Sequence, residues 1–298
     1  MTALLFVFIY AALATSLVAF AVRAARYARM PMHLRWEIYP VPHEAGKRAA
    51  YGGSRFEDVD GWKAAIHPNH LGEWKAMATE ILFLRGLWEF NRGLWWCSYP
   101  FHLGLYLLIA TGVAVTAAAF VGGAAGSVLH VFYTAAGLSG AVLVVSGAAG
   151  LLVRRLRDAK LRSYTTPGDI FNLGSFIVTV ALLLASWASG GPPVAAVIKG
   201  LLTFDTAVAI PGLEAAALAL AALLILYIPL THMAHFIAKY FTYHGIRWDD
   251  RPNNRSIEAR IAEQLTYKPT WSAAHVGAGD GASWADVATR KPGAGAAK

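Results

Sequence analysis

Histidine is the residue type through which this chain can do chemistry. His102, His130, His232 and His235 fall inside long apolar blocks, where an ionisable side chain is costly to hold and so marks a candidate functional position. At a rise of ~1.5 Å per residue, His102 sits roughly one turn inside one end of the apolar block 99–121, and His235 between one and two turns inside the corresponding end of the block 213–241. Matched depth on two facing helices is what a haem standing edge-on to a membrane requires. Each imidazole gives a neutral nitrogen to the iron while its other nitrogen donates a hydrogen bond. The competing reading is that each histidine only bonds a neighbouring helix or reaches for the interface.

The remaining polar residues fill in around that pair. His232 lies one turn deeper than His235 and about 300° around a continuous helix, so the two do not both point at one iron; it would serve a second haem, a quinone site or a proton. His130 lies near the outer end of the block 127–153 with no other histidine of the chain at its level. It would pair with a neighbouring subunit, contribute to a second haem or quinone site, or make a simple polar contact. Gly104 would ease close approach of a macrocycle, and Arg85, Arg92 or Lys239 would meet its propionates. Glu214, with Lys199 and Asp205, would line a proton or quinol route. His33, His43, His67, His70, His244 and His275 lie in polar segments and read as exposed or structural.

The elements that position these residues follow from composition. In 298 residues, 56% are hydrophobic and only 15% charged, with mean hydropathy +0.45, a balance that points to the bilayer as solvent. Apolar stretches of about 20 residues match the ~30 Å hydrocarbon core and give five spans, at 3–22, 99–121, 127–153, 170–188 and 213–241. The net charge of +8 does not indicate nucleic acid, because the basic residues cluster beside the apolar blocks. Arg23, Arg26 and Arg29 follow the first block, and Arg154, Arg155, Arg157, Lys160 and Arg162 follow the third. Those loops read as cytoplasmic, placing the N-terminus outside and the C-terminus inside.

The expected fold is therefore an all-α integral membrane bundle of five helices over 1–243, with a cytoplasmic or interfacial insertion at 24–98 between the first two. The stretch from Glu73 to Trp96 reads as one helix lying along the membrane surface, with Trp95, Trp96 and Tyr99 at headgroup level. The segment from Gly190 to Pro211 reads as an external loop. Residues 244–298 form a cytoplasmic tail, flexible from about 277. Cys97 is the single cysteine, which excludes an internal disulfide, an all-cysteine iron–sulfur cluster and C-x-x-C-H haem attachment.

The strings Pro100-Phe101-His102-Leu103-Gly104 and Pro229-Leu230-Thr231-His232-Met233-Ala234-His235, in spans two and five, resemble the cytochrome b subunits of the respiratory nitrate reductase gamma family. The run Leu34-Arg35-Trp36-Glu37-Ile38-Tyr39-Pro40 is similar to relatives in sulfate-reducer-type membrane complexes, whose partners are cytoplasmic iron–sulfur proteins akin to heterodisulfide reductase. The resemblance covers about 3–243. It implies an inner-membrane electron-transfer subunit holding haem b on His102 and His235, exchanging electrons between quinone or menaquinone and such a partner, with other membrane subunits alongside. The family carries a further histidine in each of the two ligand helices, where this sequence has Gly112 and Ala217. One haem near the cytoplasmic face is thus expected, and a second would need other ligands. A haem-free anchor or assembly subunit is the alternative. A transporter would call for an inverted repeat with broken helices at matching positions, and none is seen.

Overall fold

Inside a bilayer every backbone N–H and C=O must be paired within the chain, so apolar blocks of this length cross as helices. In a computed structural model describing residues 1–30, 41–42, 44, 46–54, 57–59, 67–248, 255–271 and 280–290, no strand forms among the described residues, and five helices are long and apolar enough to span. The chain is an all-α, multi-pass membrane protein. The run 34–40 and residues His33, His43 and His275 lie outside the described residues. In order the helices are α1 Thr2–Ala28, α2 His70–Phe83, α3 Arg85–Phe90, α4 Arg92–Ala118, α5 Gly123–Arg157, α6 Ala159–Ser163, α7 Pro167–Ala188, α8 Val194–Thr203, α9 Gly212–Tyr227, α10 His235–Thr242, α11 Arg255–Leu265 and α12 Trp284–Thr289. Helices α1, α4, α5, α7 and α9, the last prolonged to Leu230, are the spanning ones.

The fold divides into two compact units, one of Met1–Ala21 with Glu73–Ala234 and the other of Val22–Gly72 with His235–Lys298. In the first, α4 and α5 approach closely along a seam of small residues, the arrangement by which membrane helices gain packing without a hydrophobic driving force. A Cβ on Gly104 would lie 2.6 Å from the Val144 nitrogen, and one on Gly147 would lie 2.5 Å from the Phe101 nitrogen. Phe101, Ala141, Val144, Ala148, Leu173, Phe176 and Val180 then form the core that joins α4 and α5 to α7. α7 begins sharply because Thr166 and Asp169 cap it reciprocally and Pro167 occupies its first turn.

Two expectations are corrected here. The segment 190–211 is not merely a loop: it contains α8, whose Val197 packs with Phe6 of α1, and whose Val194, Ala195 and Ile198 pack on Ala114, Val115 and Tyr133. The stretch 73–96 is not one helix either. Leu84 adopts φ 51° and turns the chain between α2 and α3, and Asn91 caps α4 by accepting from the Leu94 N–H at 3.1 Å. Trp95 and Trp96 thereby belong to a spanning helix. Trp95 donates its indole N–H to the Phe83 carbonyl at 2.8 Å, and Tyr106 donates to the Ile81 carbonyl at 2.7 Å, so α2 is tied back along α4.

The fifth apolar block also differs from its expected continuous form over 213–241. α9 gives way to a 3-10 turn at Ile228–Leu230, Thr231 is extended (φ −120°, ψ 179°), and a second 3-10 turn covers His232–Ala234 before α10 starts. Pro229 explains the break. It has no N–H to offer the Ile225 carbonyl one turn earlier and its ring crowds that group. The orphaned carbonyl is taken by Ser16 of α1, whose Oγ donates to it at 3.0 Å. Ser16→Ala should lower stability by about 1–3 kcal/mol, the cost of a buried acceptor left unmade, read as a fall in the thermal midpoint in detergent. An unchanged midpoint would show that Ser16 does not support the break.

In the second unit α10 and the turn after it are aromatic. Tyr27 meets Phe241 at 5.9 Å between centroids, and Trp248, nearly fully buried, is edge-on to Tyr243 at 5.1 Å and His244 at 5.2 Å. The short α12 is closed by a capping box between Ser283 and Asp286.

Candidate functional site

His102 occupies α4 one turn beyond Ser98, and that spacing fixes its chemistry. Its Nδ1 lies 2.7 Å from the Ser98 carbonyl oxygen. A carbonyl only accepts, so Nδ1 carries the proton and the lone pair of the neutral ring resides on Nε2. This is the state of a histidine that ligates a metal through Nε2 while a backbone carbonyl orients it. Phe101 stands edge-on to the ring at 5.4 Å and anchors that turn in the core. Gly104, expected to admit a macrocycle, instead admits the backbone of α5, with the Gly140 carbonyl oxygen 2.7 Å from where its Cβ would be.

His235 is exposed and opens α10 in the second unit. The break at Thr231 removes the continuous helix on which its expected depth, and the ~300° separation from His232, depended. Of the expected propionate partners, Arg85 pairs with Glu89 at 2.6 Å, Arg92 lies 4.6 Å over the Trp88 ring, and Lys239 lies 5.9 Å from the Tyr243 ring centre. Ala217 is fully buried, whereas no atom lies within 4 Å of a Cβ built on Gly112. Among the described residues no group of three or more His, Cys, Asp and Glu side chains gathers as a metal cluster. A haem held by two imidazoles needs no such group.

His232 is placed by the break rather than by a regular helix, and it completes a polar network across α5, α7 and the end of α9. Tyr227 donates its hydroxyl to Oδ1 of Asn172 at 3.0 Å, which turns the Asn172 Nδ2 toward Nε2 of His232 at 3.1 Å. Oδ1 of Asp169 lies 3.4 Å from the same Nε2, while its Oδ2 accepts from the Thr166 hydroxyl at 2.9 Å and lies 3.6 Å from Nη1 of Arg155. Nε2 thus stands between a donor and an acceptor: the neutral ring accepts from Asn172, and the protonated ring donates to Asp169.

His130 finds its partner within its own helix, with Nδ1 2.7 Å from the Tyr133 hydroxyl and the rings edge-on at 5.1 Å. Tyr133 is buried against α4 and α8. Lys199 lies exposed on α8, Asp205 accepts from the Ala207 N–H at 3.0 Å, and Oε2 of Glu214 is buried with no hydrogen-bond partner, facing Gly191. Asp169, Asn172, Tyr227 and Arg155 are the residues that the reading of the sequence missed as a cluster. The available signal was Asn172, a primary amide inside an apolar block on the helix face shared with Phe176 and Thr179, where a buried polar group must have partners.

Comparison with protein-family models, curated proteins and solved structures finds no match to this chain.

Proposed function

We propose that this chain is a b-type cytochrome subunit of a respiratory complex in the cytoplasmic (inner) membrane, with its N-terminus outside and C-terminus inside, transferring electrons between the quinone or menaquinone pool and a cytoplasmic iron–sulfur partner akin to heterodisulfide reductase. The observation that carries the reading is His102: its Nδ1–H is committed to the Ser98 carbonyl at 2.7 Å, which leaves the lone pair on Nε2. His235 supplies the second imidazole in this proposal. Bound there, haem contributes reversible one-electron exchange. The chain's own residues hold the ligand ring in one tautomer, through Ser98, and wedge its turn into the core, through Phe101.

Charge distribution supports the orientation. The arginines at the end of α5 and the basic residues of α6 contrast with the uncharged Gly-rich turn between α4 and α5, as the positive-inside rule requires. The test is reduction of the purified chain by a short-chain hydroquinone, followed in the visible haem bands. The proposal expects a b-type spectrum that hydroquinone reduces. Bands reducible by dithionite alone would remove the quinone link, and a colourless chain would favour the haem-free anchor.

A further inference from the structure

The cluster around His232 is not consumed by an axial pair drawn from His102 and His235, and its donors and acceptors suit a different ligand. All its members lie in the first compact unit. The His232 side chain is 66% exposed, while Asn172 behind it is only 5% exposed. Phe171, next to Asn172 in α7, and Leu230, two residues before His232, are each 60% exposed, and Phe171 stands edge-on to Tyr227 at 5.4 Å. On a membrane-spanning bundle such apolar faces meet acyl chains, so a ligand reaching His232 there is itself lipophilic. An anionic lipid headgroup is a poor fit: it would meet the Asp169 carboxylate, and Arg155 already lies 3.6 Å from that carboxylate.

We infer that His232, backed by Asp169 and Asn172, binds the headgroup of a quinone or hydroquinone. The assignment of its redox partner rests on the electron-transfer reading above. A quinone oxygen accepts a hydrogen bond and a hydroquinone hydroxyl donates one. Nε2 of His232, set between the Asn172 amide and the Asp169 carboxylate, meets either form: neutral, it exchanges the Asn172 N–H for a hydroquinone hydroxyl, and protonated, it donates to a quinone oxygen. Oxidation of the hydroquinone would break two O–H bonds, release two protons and give up two electrons one at a time to a one-electron acceptor, the role a haem held by His102 and His235 would fill. His232 takes the first proton on Nε2, Asp169 stabilises the imidazolium, and the second proton follows once the first has left. Because Asp169 is held by Thr166 and Arg155, at the start of α7 and the end of α5, the protons leave on the arginine-rich side, the same side on which the proposed partner docks. Oxidation by that route moves no proton across the membrane.

The test is binding of 2-heptyl-4-hydroxyquinoline N-oxide, a fluorescent hydroquinone analogue, to the full-length chain in detergent, a readout that needs no haem. His232→Leu and Asp169→Asn should each weaken binding by about tenfold, the scale of a lost hydrogen bond to a charged group, with the thermal midpoint showing that the variants are folded. Tyr227→Phe, which deletes only a hydroxyl, should weaken binding less and guards against a His232 variant that misfolds. Failure of the wild type to bind the probe, binding within about twofold of wild type in both charged-site variants, or a loss caused instead by His130→Ala would each overturn the inference. A colourless chain that still binds the probe through His232 would remove the electron-transfer reading and leave this site standing.

Discussion

If the proposed pair holds haem, His102→Ala should leave the purified chain essentially without it, against about one b haem in the wild type, because the substitution removes one of the two imidazoles that would ligate the iron. His235→Ala should do the same, and His130→Ala should leave the haem in place, since its Nδ1 is engaged by Tyr133 at 2.7 Å. Far-ultraviolet circular dichroism on each variant separates loss of a ligand from loss of fold. The effect is expected to be all-or-none rather than graded: Nε2 of His102 would be the iron-bound atom, and an alanine offers nothing in its place. Full haem in both the His102 and His235 variants would contradict the ligand assignment.

The second large effect concerns the seam that holds α4 in place. Gly147→Leu should destabilise the bundle by about 3 kcal/mol, the upper end of what overpacking costs, and in practice should yield little folded protein. A Cβ at 147 would lie 2.5 Å from the Phe101 nitrogen and 2.8 Å from its Cα. Those are backbone atoms of a neighbouring helix, which cannot swing aside as a side-chain tip would. Phe101 also abuts His102 at 5.4 Å, so a displaced α4 should lose haem as well as stability. Gly112→Leu is the matched control, with nothing within 4 Å of its Cβ, and should be neutral. Equal thermal midpoints for the two variants would show that the close approach of α4 and α5 is not what stabilises the bundle.

What the sequence conveyed and what it withheld divide along physical lines. The spanning helices were legible because a run of apolar residues about as long as the bilayer is thick has one way to satisfy its backbone. The His102 tautomer was partly legible, since Ser98 lies one helical turn before it and a carbonyl is always present there. The break after α9 was not. Pro229 in a membrane helix is compatible with a mere kink, and the carbonyl it orphans is rescued by Ser16, whose Oγ donates to Ile225 at 3.0 Å from a helix more than two hundred residues away in sequence. The turn at Leu84 was hidden for another reason. Its left-handed φ of 51° is a conformation that ordinarily calls for glycine or asparagine, so leucine gave no punctuation.

The His232 network was the largest omission. Its residues come from α5, α7, the end of α9 and the turn after it, and sequence spacing relates residues only within an element. Asp169 completes the capping box with Thr166 at the start of α7, and the same carboxylate also reaches Nε2 of His232 at 3.4 Å. A capping residue at a helix start gives no hint that its second oxygen has another partner.

The proposed electron transfer requires that this chain hold b-type haem. The direct measurement is a dithionite-reduced minus oxidised spectrum of the purified full-length chain, with a pyridine haemochrome count of haem per polypeptide. The expected result is b-type bands and about one haem per chain. A chain that folds in detergent, with the helical signal its spans require, but carries no haem after expression with haem supplied would contradict it.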